Sequence, residues 1–147
     1  MNSFDAKFRY KKVLHGLDGS EGSLRALDEA IQLAKYYAAE LHTISVEELP
    51  RYPGAIGEVV EEKIIANGAF GNAIEKARQI AGRKGVDLTT HVIIGHEVKT
   101  MLEFIKQKGF DLLVIGFMGH SAIYDRVMGS TCQSLVRLAP CSVLVVK

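Results

Sequence analysis

Two groups of small residues have the types and spacing to bind a phosphate. Gly116 and Gly119 follow an apolar run, and after nine more residues the triplet Gly129-Ser130-Thr131 begins a helical pattern. Glycine at the exit of a strand lets backbone approach a ligand closely, because no Cβ stands in the way. A helix start with this triplet offers N–H groups, hydroxyls and the positive end of the helix dipole. The sequence therefore predicts a phosphate-binding loop.

This loop differs from the two best-known phosphate-binding motifs. It lacks the glycine spacing of the dinucleotide-binding fingerprint. A P-loop requires a lysine directly after its last glycine, whereas Ser130 follows Gly129. The chemistry is therefore predicted from the position of the loop between a strand and a helix.

Other polar residues follow strand-like runs and can share the same edge of a sheet. Asp18 follows the short run at 13–17, and His96 with Glu97 follows the run at 86–94. In a doubly wound sheet the carboxyl ends of the strands meet at one edge. Asp18 can accept hydrogen bonds from ribose hydroxyls there, or it can cap the backbone of its own turn. His96 is interpreted as a loop residue first and a pocket residue second.

Apolar runs alternate with helical patterns along the whole chain, and these elements would position the loop. Strands are predicted at 13–17, 41–46, 86–94, 112–115 and 142–146, and helices at 20–39, within 60–80, at 98–108 and at 131–138. Apolar runs alternating with helices are typical of a parallel sheet that is buried on both faces. We predict an α/β fold: one doubly wound domain over residues 1–147, with residues 1–9 as a candidate flexible tail. Its five-stranded parallel sheet is expected in the order 3-2-1-4-5, with helices on both faces.

Composition and charge narrow the range of partners. The net charge of +1 argues against bulk nucleic acid or an anionic membrane as the main partner, although it permits one small anionic ligand. No apolar stretch reaches the length of a membrane span. Cys132 and Cys141 stand alone, which suggests neither a disulfide framework nor a zinc site. A reducing cytoplasm is the expected compartment.

The spacing Gly116-x2-Gly119-x9-Gly129-Ser130-Thr131 resembles the nucleotide-binding signature of the universal stress protein family. The resemblance extends from about Tyr10 to Lys147. It includes the turn after the first strand, a Pro/Gly-rich loop after the second and the closing apolar strand.

The resemblance implies a binding site for ATP or another adenine nucleotide, with any Mg²⁺ held mainly by the phosphates and no metal site built by the protein. It assigns the phosphates and ribose to Gly116, Gly119, Gly129, Ser130 and Thr131. Asp18 would contact the ribose or adenine side, and the backbone of Val46 the adenine edge. His120 would reach a phosphate or remain a solvated loop residue.

The resemblance also implies a homodimer, paired through the last strand at Val143, Val145 and Val146. We expect a nucleotide-dependent switch in the stress response, with an unknown protein partner. No catalytic residue is assigned, and ATP hydrolysis is expected to be slow at most.

Two large residues depart from the family pattern. Phe117 and Met118 stand between the loop glycines, where they would line the pocket mouth, pack as a lid or narrow the site. These two residues motivate a second hypothesis, in which the chain is a protein-interaction module that binds no nucleotide. A slow ATPase or phosphotransferase, with His120 as its first candidate residue, is the third hypothesis.

Overall fold

Strands and helices alternate along the part of the chain that the structure describes. The computed structural model describes residues 10–48, 70–117 and 128–147. The strands are β1 (Lys12–Gly16), β2 (Glu40–Glu47), β3 (Leu88–Ile94), β4 (Leu112–Gly116) and β5 (Ser142–Val146). The helices are α1 (Glu21–Tyr37), α2 (Gly71–Arg83), α3 (Glu97–Lys108) and α4 (Ser130–Leu138). The predicted tail at 1–9 and the helical pattern before residue 70 lie outside the described residues, and the single-domain assignment stays a prediction.

The strands form one parallel sheet in the order β3-β2-β1-β4-β5, which confirms the predicted fold class and strand order. In the centre, Val13 of β1 lies opposite Leu41 of β2 on one side and Leu112 of β4 on the other. The chain winds outward from β1 in one direction and from β4 in the other. The crevice between these two strands is therefore the switch point at which such sheets bind ligands.

Each face of the sheet is covered by two helices with its own apolar core. The core under α1 and α2 includes Leu27, Ile31 and Ala77. The core under α3 and α4 includes Met101, Phe104, Ile105, Cys132 and Leu135. The central strands are buried on both faces, which explains why their sequences are apolar runs rather than alternating patterns.

The helix boundaries follow recognisable end signals. Ser20 caps α1, because its hydroxyl oxygen accepts a hydrogen bond from the Ser23 N–H at 3.1 Å. Gly109 ends α3 in the left-handed conformation, with φ 71°, which glycine adopts readily at the end of a helix. These ends fix where each helix starts and stops at the edges of the sheet.

None of the helices in the described ranges is both long and apolar enough to span a membrane. Cys132 is buried, Cys141 is partly buried, and both are free thiols.

Candidate functional site

A cleft of about 220 Å³ opens at the carboxyl edge of the sheet, over the switch point. Six of the predicted site residues line it: Asp18, Val46, Gly116, Gly129, Ser130 and Thr131. The other two predicted site residues, Gly119 and His120, lie outside the described residues. The fold thus brings together residues that are more than a hundred positions apart in the sequence.

Asp18 begins the tight turn between β1 and α1. Its Oδ1 accepts a hydrogen bond from the Ser20 N–H at 2.9 Å, so the turn-capping role proposed for it is present. Gly19 in this turn has φ 84°, a left-handed conformation that favours glycine. Asp18 also lines the cleft, so its capping role and the predicted ligand-binding role are compatible.

The start of α4 presents backbone N–H groups at the cleft. The first intrahelical bond runs from the Gln133 N–H to the Gly129 carbonyl at 3.0 Å. The N–H groups of Ser130, Thr131 and Cys132 precede that bond, so they have no acceptor within the helix. The N-cap is Gly129, which has no side chain to accept from them. Such a helix start is suited to an anion.

Gly116 has a packing reason to be glycine. A Cβ at this position would lie 2.9 Å from the carbonyl carbon of Gly22 and 3.3 Å from the backbone nitrogen of Ser23. The first turn of α1 therefore packs directly on the end of β4. Gly116 and Ser23, which meet at this contact, both line the cleft.

Phe117 lies beside β5. Its N–H donates to the Val146 carbonyl at 3.0 Å, and the Lys147 ammonium lies 5.4 Å from the centre of its ring. The Phe117 carbonyl accepts a hydrogen bond from the Gly129 N–H at 3.0 Å. Phe117 therefore anchors the loop ends to the sheet. Met118, the second departure from the family pattern, lies outside the described residues.

Glu97 also lines the cleft, although only its position at this edge of the sheet was predicted. It is the first residue of α3, and its Oε2 accepts a hydrogen bond from the Thr131 hydroxyl at 3.3 Å. The sequence signal for a place in the cleft was its position just beyond β3, because the carboxyl ends of parallel strands lie at the same edge of the sheet. His96 before it is mainly solvent-exposed and serves as the N-cap of α3, in agreement with a loop role.

A buried histidine supports the turn from below. His15 Nε2 lies 2.7 Å from the Ser23 carbonyl oxygen, which can only accept, so Nε2 carries the hydrogen. Burial lowers the pKa of His15 to about 4, although the Ser23 contact and the Asp18 charge act in the opposite direction. The neutral ring therefore holds the first turn of α1 against the sheet at neutral pH.

The fold and the cleft define a doubly wound α/β protein with a ligand-type crevice at its switch point. The chain belongs to the universal stress protein family, whose family model matches residues 9–147.

Relatives of known sequence or structure support this assignment over nearly the whole chain. A universal stress protein of Methanocaldococcus jannaschii is 32% identical over 142 residues, which is 94% of this chain and 82% of that protein. The structure of universal stress protein UspA from Lactobacillus plantarum is 27% identical, covers 95% of this chain and 99% of that one, and has a TM-score of 0.81. A universal stress protein crystallised in complex with cAMP is 29% identical to this chain and has a TM-score of 0.74. The match covers 94% of this chain and 97% of that one.

Proposed function

We propose that this chain binds an adenine nucleotide in the cleft, ATP with Mg²⁺ in the first instance, and acts as a nucleotide-dependent switch in the cytoplasm. The observation that carries the proposal is the start of α4, whose N–H groups lie across the switch point from Asp18. Phosphates favour such helix starts, and carboxylates at this edge favour ribose hydroxyls. A universal stress protein crystallised in complex with cAMP supports an adenine nucleotide as the class of ligand.

The cleft also offers a surface for the base. Ile44 and Val46 of β2 and Phe70 before α2 line it with apolar side chains. Strand β1 lies between β2 and β4, so these β2 residues and Gly116 stand on opposite sides of Asp18. A nucleotide spanning β1 would place its base towards Val46, its ribose at Asp18 and its phosphates at α4. This order matches the roles implied by the sequence resemblance.

Direct measurement of bound nucleotide tests the proposal. Mass spectrometry of the protein, denatured immediately after purification, should detect an adenine nucleotide. Calorimetric titration of the dialysed protein with ATP and MgCl₂ should show saturable binding. Failure to bind ATP, AMP or cAMP at millimolar concentration would contradict the proposal.

Arginine in place of Gly129 should strongly weaken ATP binding while leaving the fold intact. The backbone at Gly129, with φ −61° and ψ 150°, is open to any residue, so the change adds a side chain at the start of α4 without backbone strain. We expect at least about a hundredfold weaker binding by calorimetry, since the added chain competes for the phosphate position.

Gly82→Arg is the matched control for this variant. Gly82 lies near the end of α2, where nothing stands within 4 Å of an added Cβ. It should keep wild-type ATP affinity. Unchanged affinity in Gly129→Arg would instead favour the protein-interaction module without nucleotide.

The proposed homodimer would pair through β5, the last strand at one end of the described sheet. Side chains of Val143 and Val145 pack into one core, and Val146 packs into the other. Pairing would therefore use the exposed backbone edge of the strand. Light scattering after size exclusion should give twice the chain mass of 16.1 kDa. A mass of one chain at micromolar concentration would contradict the dimer.

A further inference from the structure

One aromatic ring lines the cleft. Phe70 is the only aromatic residue among the described residues that form the cleft wall, and it stands directly before α2. Its side chain is partly exposed although it is large and apolar. The rings of Phe104 and Phe110, by contrast, are buried in the core under α3 and α4. An accessible aromatic face in a ligand-type cleft is suited to a flat partner.

The backbone of Phe70 is fixed next to the turn that contains Asp18. The Ile74 N–H donates to the Phe70 carbonyl at 2.8 Å, so Phe70 belongs to the first turn of α2. A Cβ added to Gly19 would lie 3.5 Å from the Cβ of Ala73, so this part of α2 packs on the turn between β1 and α1. Both Ala73 and Ile74 also pack against the core under α1 and α2. The fold therefore sets the distance between the phenyl ring and Asp18.

The apolar walls at this end of the cleft come from opposite faces of the sheet. Ile44, Val46 and Met101 line the cleft and belong to the core under α3 and α4. Phe70 precedes α2, which covers the other face of the sheet. A flat ring that enters between these walls would lose water from both of its faces, which stabilises the bound state. The two walls therefore form a slot that suits an aromatic base.

We propose that Phe70 stacks on the base of the bound nucleotide and gives the cleft a preference for purines. A purine has two fused rings, so it covers more of the phenyl face than a pyrimidine does and buries more apolar surface. This inference rests on the proposed function, because it concerns the same cleft. It adds a specificity residue that lies outside the glycine signature.

Calorimetric titration of the full chain with ATP and with CTP, both in MgCl₂, tests this preference. The wild type should bind ATP at least about threefold more tightly than CTP. Phe70→Ala should weaken ATP binding at least about tenfold and CTP binding less, so that the ratio of the two affinities falls. Phe70→Tyr keeps the flat ring and should keep the wild-type ratio. Equal losses for ATP and CTP in Phe70→Ala would indicate a general packing role and overturn the inference.

Fluorescence can report the stacking directly, because the chain has no tryptophan of its own. Phe70→Trp places a single indole at this end of the cleft, and ATP should quench its fluorescence by stacking on it. Tyr36→Trp is the matched control, since Tyr36 is 81% exposed and lies near the opposite end of α1 from the cleft. Its fluorescence should not respond to ATP. If Phe70→Trp binds ATP by calorimetry without a change in fluorescence, the base does not stack at this position.

Comparison of the wild type with Phe70→Ala separates this inference from the proposed function. Binding of ATP by both proteins with equal affinity would leave the proposed function standing and overturn the role of Phe70. A wild type that binds neither ATP nor CTP would overturn both.

Discussion

Replacing Gly116 with alanine should destabilise the protein by about 2 kcal/mol, even with no nucleotide present. The added Cβ would lie 2.9 Å from the carbonyl carbon of Gly22 and 3.0 Å from its oxygen. These atoms belong to the backbone of the first turn of α1, which cannot rotate aside as a flexible side chain can. Relief requires α1 to move away from β4, and that movement would also open the cleft between Asp18 and α4.

Urea unfolding of the nucleotide-free protein measures this effect. Gly82→Ala provides the control, because an added Cβ there meets nothing within 4 Å. Alanine within helix α2 should leave stability unchanged or raise it by up to about 1 kcal/mol. A Gly116→Ala protein with the wild-type urea midpoint would show that packing against α1 does not require glycine at this position.

The two interpretations of Gly116 illustrate what the sequence can predict. The spacing of the loop assigned this glycine to a ligand site, and in the structure Gly116 lines the cleft. The sequence interpretation assigned it to a close approach of ligand. The structure adds a close approach of helix α1, and the chain partner of that contact stands nearly a hundred residues earlier. Sequence spacing locates such a glycine, whereas only tertiary packing identifies what approaches it.

The order of the elements was predictable because each depends on local pattern. The apolar run 142–146 predicted β5 with both ends correct, and the helical pattern at 98–108 predicted the last residue of α3. Parallel pairing and strand order then follow from alternation and from the family resemblance.

Contacts between side chains from distant segments were not predictable in this way. Glu97 was placed at the correct edge of the sheet, but its bond to Thr131 depends on how α3 and α4 pack against each other. His15 lies within the apolar run 13–17, and it is fully buried with one nitrogen bonded to Ser23. A polar residue within an apolar run gives no signal of which backbone atom it will contact.

His15 should make the protein sensitive to acid. Its Nε2 donates to the Ser23 carbonyl, so a second proton must go to Nδ1, which is buried and has no hydrogen-bond partner among the described residues. Burial therefore lowers the pKa of His15 from 6.5 to about 4. The unfolded chain binds this proton more readily than the folded chain, so stability is retained above pH 6.5 and lost as pH falls towards 4.

His42 and His91 should also lower the stability of the protein as the pH falls. The His42 and His91 rings are parallel within 3°, and His42 Nδ1 lies 2.9 Å from His91 Nε2. Burial lowers the pKa of both; each ring also experiences a neighbouring positive group, His91 for His42 and Lys108 for His91. Protonating both would place a donor opposite a donor and break their hydrogen bond. The wild type should therefore lose stability on acidification through several histidines.

His15→Leu isolates the contribution of the buried ring. The change from a pKa of 6.5 to about 4 corresponds to about 3 kcal/mol, most of which appears between neutral pH and pH 4. The difference in unfolding free energy between wild type and His15→Leu should therefore shift by that amount in favour of leucine as pH falls. Urea unfolding at pH steps from 7.5 to about 4 measures this shift, and taking the difference cancels groups that titrate alike in both proteins.

His96→Gln is the control for this experiment. The His96 side chain is 74% exposed, so this variant should follow the wild-type curve. Parallel curves for wild type and His15→Leu would mean that the folded protein accepts a proton at His15 as readily as the unfolded chain does.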